Sequence, residues 1–124
     1  ALNGLSYTYC ILFIIHTISC LLFIKGLYHL RKVAQLLISK SYYTNSTILN
    51  IKQSGKLFIF VGLANITSSA ITTIYKLFMG KLSISFDSIP LTSLFLIIIG
   101  LFFIIQSNFL SQAKEIKEEN ELTI

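Results

Sequence analysis

His16 and Cys20 stand four residues apart, so on a helix they share one face and could ligate a metal together. Two ligands are too few for such a site, since a structural zinc takes four. His29, the other histidine, lies nearly four helical turns further on and cannot join them. The expectation is therefore a hydrogen-bonded, interhelical His16 and no metal or haem. Cys10 and Cys20 fall about 15 Å apart along a helix, too far for a disulfide between them. Acid–base chemistry also lacks material. Asp87 is the sole aspartate, and Glu115, Glu118, Glu119 and Glu121 all lie at the C-terminal end. The sequence has no Gly-rich phosphate loop and no Cys-x-x-Cys. A non-enzymatic protein is expected, with no catalytic residue and no cofactor.

What positions these residues is a set of long apolar runs. Hydrophobic residues make up 54% of the chain and charged residues 12%, about half the charged share of a soluble domain. Runs at residues 5–24, 57–79 and 89–110 each approach or exceed the roughly 20 residues that cross a bilayer. The sequence thus predicts one all-α membrane domain over residues 1–124, a polytopic helical bundle in contact with lipid. Pro90 suits the first turn of the third run, with Asp87 or Ser88 as its cap. Heavy use of isoleucine, lysine and asparagine points to an AT-rich bacterial genome, hence to a bacterial inner membrane. The first run has no basic segment and cleavage site, so it is not read as a signal peptide. A chain that opens on Ala1 is expected to lack preceding residues.

The net charge is +5, and its placement decides what it means. Lys25, Arg31, Lys32, Lys40, Lys52 and Lys56 fall between the first two runs with no acid among them. Loops of that kind face the cytoplasm, so direct nucleic-acid binding is not expected. Leu27, Leu30, Val33, Ala34, Leu37 and Ile38 recur at helical spacing. The first helix should continue to about Ser39, with a turn near residues 41–45 capped by Thr44 or Asn45. Residues 25–56 then form a basic cytoplasmic helical hairpin. Lys76, Lys81 and Asp87 suit the opposite face, and the polar tail at 111–124 returns to the cytoplasm.

Polar residues within the spans mark contact faces. Gly62, Asn65, Ser69 and Thr73 follow helical spacing on the second span, and Ser93, Gly100 and Ser107 are seven apart on the third. Small residues let helices approach closely, and buried Asn or Ser can bond across. These are expected helix-packing residues, with Asn65 buried and hydrogen-bonded. No acid lies in any span, so a proton or cation relay lacks its usual carboxylate. In the tail, Glu115 and Glu119 share a helical face. Leu122 and Ile124 flank Thr123, and an extended strand would turn both to one side. Glu115, Glu119, Leu122 and Ile124 are therefore the candidate partner-binding residues.

The end of the chain carries a resemblance. Gly100, residues 101–106, and then Lys117-Glu118-Glu119-Asn120-Glu121-Leu122-Thr123-Ile124 resemble the closing motif of the DUF2975 family of small bacterial membrane proteins. Tyr42-Tyr43-Thr44-Asn45, followed by Ile48, Ile51 and Gly55, is similar to that family's turn and amphipathic approach to its next span. The resemblance implies a four-helix bundle, so a first helix is expected ahead of Ala1. It also implies a small helix-turn-helix transcriptional regulator of the Cro/CI type as a partner, because family members are commonly encoded beside one. An accessory subunit packed against other membrane helices in a larger complex is the alternative expectation.

Overall fold

The computed structural model describes residues 2–80 and 88–122. Three helices account for nearly all of them: α1 (Leu2–Ile38), α2 (Asn45–Phe78) and α3 (Ser88–Leu122). All three are long and apolar enough to cross a membrane. At 34 residues, α2 measures about 51 Å against a hydrocarbon core of about 30 Å. The helices therefore extend well beyond what a bilayer core can cover. Among the described residues there is no fourth span.

The break between α1 and α2 is made by local chemistry. Ser41 N–H donates to the Leu36 carbonyl (2.9 Å) and Lys40 N–H to that of Leu37 (3.1 Å), the double bond that closes a helix through a left-handed residue. That residue is Lys40, at φ 61°. Thr44 is the N-cap of α2, and its hydroxyl accepts from Thr47 N–H at 3.3 Å. Thr47 is fully buried, and its own hydroxyl donates to the Ser41 carbonyl at 2.6 Å. The turn is thus pinned from both sides, where the sequence places it.

α2 is the central helix. It packs on α1 and on α3, while α1 and α3 do not pack on each other among the described residues. Lipid tails are as apolar as leucine, so close fit rather than water exclusion must hold such helices together. The buried positions show this. On α1 they are Ser19, Gly26 and Val33, and on the α1-facing side of α2 they are Thr47, Ser54 and Val61. On α3 they are Ser93, Gly100 and Ser107. Each set repeats every seven residues, the spacing that keeps one seam facing a partner in a left-handed supercoil. Phe58 joins the layers, with its ring 5.7 Å from Phe23 of α1 and 5.9 Å from Phe103 of α3.

α3 runs unbroken from the third apolar run to Leu122, so the polar tail is helical, as the spacing of Glu115 and Glu119 implies. One feature departs from the sequence-based expectation. Leu122 closes that helix, so it is not part of an extended strand, and Ile124 lies outside the described residues. Ser88 opens α3 with Pro90 inside the first turn, and Asp87 also lies outside the described residues.

Candidate functional site

The seams show where each packing residue lies. A Cβ added at Gly100 would stand 2.6 Å from the Gly55 carbonyl oxygen, and one at Gly55 would stand 2.7 Å from that of Gly100. The two backbones touch there, which only glycine on both sides permits. A Cβ at Gly62 would meet the Ser93 carbonyl at 2.8 Å. Gly62, Ser93, Gly100 and Ser107 are all buried, and the Ser107 hydroxyl turns back to the Ile104 carbonyl at 2.7 Å. Asn65 and Ser69 are only half-buried, and the Asn65 amide makes no hydrogen bond among the described residues. Thr73 is exposed, with its hydroxyl on the Ser69 carbonyl at 2.9 Å. The α2–α3 contact is thus built on Gly55 and Gly62 rather than on the polar residues beyond them.

The α1–α2 contact rests on residues the spacing argument leaves out. Gly26 lies under the Phe58 ring, whose edge would be 2.9 Å from an added Cβ, and the buried Ser54 hydroxyl donates to the Gly26 carbonyl at 3.1 Å. His29 and Asn50 meet at 2.9 Å between Nδ1 and Oδ1. His16 is exposed instead, against its expected interhelical role. Cys10 and Cys20 are exposed free thiols. Among the described residues no three His, Cys, Asp or Glu side chains gather as a metal site would need.

The turn end of the bundle concentrates the charge. Arg31, Lys32, Lys40 and Lys52 are exposed around it, with the Lys32 ammonium 4.9 Å from the centre of the Tyr28 ring. α3 passes the turn and is fastened to it. Lys114 Nζ donates to Asn45 Oδ1, and Lys117 stands 5.5 Å over the Tyr43 ring. In both contacts a lysine of α3 meets a neutral group of the turn. Glu118 pairs loosely with Lys114 at 3.8 Å, a contact worth well under about 1 kcal/mol when exposed. Glu115, Glu119, Glu121 and Leu122 are exposed, and Leu122 is 86% accessible.

A shallow concavity of about 320 Å³ lies beside this contact, lined by Tyr43, Ala113, Ile116, Lys117, Asn120 and Glu121. It offers cationic, anionic and apolar contacts within one surface, which suits recognition of another macromolecule. Neither a curated protein nor a solved structure matches the chain. The family model described as "Protein of unknown function (DUF2975)" matches residues 1–124. The chain therefore belongs to the DUF2975 family, and its three candidate spans make it a multi-pass membrane protein.

Proposed function

We propose that this chain is a non-enzymatic protein of the bacterial inner membrane that holds a small helix-turn-helix regulator at the turn end of its bundle. The observation that carries this reading is the last part of α3. Beyond the Lys117–Tyr43 contact the helix continues about 7 Å past the turn and presents Glu118, Glu119, Glu121 and Leu122 outward. Proteins that bind DNA carry basic surfaces, and an acidic face with an apolar end complements them. A regulator held this way has its cationic face occupied, so membrane holding and DNA binding would compete. The basic residues on both sides of the turn, from Lys25 in α1 to Lys56 in α2 with no acid among them in sequence, support a cytoplasmic position for this end.

The test is affinity purification from membranes, with the full chain compared with one lacking residues 121–124. The expected result is a helix-turn-helix protein recovered with the full chain and lost with the shortened one, while both insert into the membrane equally. Equal recovery from both would remove the end of α3 as the binding element. Recovery of no DNA-binding protein would contradict the reading.

A second reading, an accessory subunit of a larger membrane complex, has its own observation. Leu91, Phe95, Ile98, Phe102, Ile105, Phe109 and Ile116 form one exposed apolar stripe along α3. Its lower part runs between the Gly55–Gly100 and Asn45–Lys114 contacts, level with the exposed Lys52 of α2. An apolar face at the height of a charged one suits another helix more than lipid headgroups. Copurification with a large assembly, lost when Phe102 and Phe109 become serine, would favour it.

A further inference from the structure

The α1–α2 seam is tight at one end and open at the other. Near the turn Gly26 meets Phe58, and the Ser54 hydroxyl reaches the Gly26 carbonyl. Toward the start of α1 and the end of α2 the same seam holds a partly enclosed cavity of about 270 Å³. Its size falls at the lower edge of small-ligand pockets. Tyr9, Leu12, Tyr75 and Met79 give it an apolar and aromatic body, and Thr8 and Thr72 add hydroxyls. Those hydroxyls donate to the Gly4 and Ser68 carbonyls of their own helices, so they form no bond across the gap. Lys76 completes the lining. It is exposed and has no ion pair among the described residues. α2 ends two residues later, so the ammonium lies near the membrane boundary, with apolar walls reaching inward from it.

We propose that this cavity binds a single-chain anionic amphiphile, a medium-chain fatty acid in its ionised form. A carboxylate at the boundary would meet Lys76, with the Tyr75 hydroxyl as a further donor. The chain would lie against Leu12, Tyr9 and Met79, where the helices have separated. The wall has one cation and no described carboxylate, so an anion fits and a cationic amphiphile does not. A two-chain phospholipid is too large for 270 Å³. A fatty acid can also enter sideways from the leaflet, past the exposed Tyr9. The site is independent of the regulator reading, since it lies at the other end of the bundle and shares no residue with the end of α3.

The experiment uses the full chain in phosphatidylcholine nanodiscs with a photoreactive dodecanoate, at a pH where the acid is ionised. Saturable labelling within residues 72–79 is expected. Lys76→Gln should weaken it by about tenfold or more, a loss of about 1.4 kcal/mol. Thr72→Phe, which fills the cavity, should abolish it. Lys25→Gln, distant from the cavity, should leave it unchanged. Unlabelled dodecanoate should compete, whereas dodecanol should do so poorly because it lacks the charge. Three results would overturn the proposal: labelling that does not saturate, labelling equal in all variants, or labelling displaced as well by phosphatidylglycerol as by dodecanoate. The last would assign the site to bulk lipid headgroups. Melting of each variant in the same nanodiscs shows whether the fold is kept. If Lys76→Gln is unfolded, Thr72→Phe and the dodecanol comparison decide the matter.

Discussion

Lys40 occupies a position that ordinarily belongs to glycine. Its φ of 61° lies in the left-handed region, where an L side chain costs roughly 1–2 kcal/mol. The far end of α2 solves the same problem with Gly80, at φ 72° and with nothing within 4 Å of an added Cβ. Lys40→Gly should therefore stabilise the fold by about 1 kcal/mol, seen as a higher midpoint in denaturant titration of the detergent-solubilised protein. Lys40→Ala removes the charge without relieving the backbone and should give no such gain. Destabilisation by Lys40→Gly would show that the side chain, through an interaction of its own, outweighs the strain. Gly100 is the opposite case. A methyl group there meets the Gly55 carbonyl and the Ile59 side chain, each at 2.6 Å, so two helices must move apart. Gly100→Ala should cost about 1–3 kcal/mol, as overpacking does. Gly4→Ala meets nothing within 4 Å and should be neutral or gain up to about 1 kcal/mol. Equal effects at the two glycines in the same titration would refute the close backbone contact.

At the scale of elements, what the sequence discloses follows from what is local. The end of α1 and the Thr44 cap are legible because a run of helical spacing stops and a hydroxyl stands three residues before the N–H it accepts. The Ser93, Gly100 and Ser107 stripe is legible because small residues seven apart stand out in an apolar run. The matching stripe on α1 is not. Gly26 adjoins Lys25, which reads as the edge of a span, and Val33 lies within the basic stretch. The seam nevertheless runs across that boundary, since helix contacts follow the seven-residue repeat and take no account of where lipid ends. Asn65 misleads for a related reason. Its spacing places it with Gly62, but the tight approach is centred on the Gly55–Gly100 contact, and the Asn65 amide finds no partner among the described residues. Leu122 misleads because alternation over three residues fits a strand and a helix end equally. The helix prevails because α3 has nothing to stop it: no glycine or proline follows Pro90 and Gly100.

For the whole molecule the decisive property is its polarity along the bundle axis. One end carries the turn, the exposed lysines and arginine, and the acidic close of α3. The other carries the Tyr9–Lys76 cavity. The proposed regulator site and the proposed amphiphile site lie at opposite ends of the bundle, and helices of these lengths allow those ends to reach opposite sides of the membrane. The regulator reading requires the turn end to face the cytoplasm. Cysteine accessibility tests this most directly. In a Cys10→Ala, Cys20→Ala background, a single cysteine is placed at Ser39, in the turn, or at Ser83, between α2 and α3, and intact cells are treated with a membrane-impermeant thiol reagent. The account predicts that Ser83→Cys reacts and that Ser39→Cys reacts only after the cells are permeabilised. Labelling of Ser39→Cys in intact cells, with Ser83→Cys protected, would invert the molecule and contradict it.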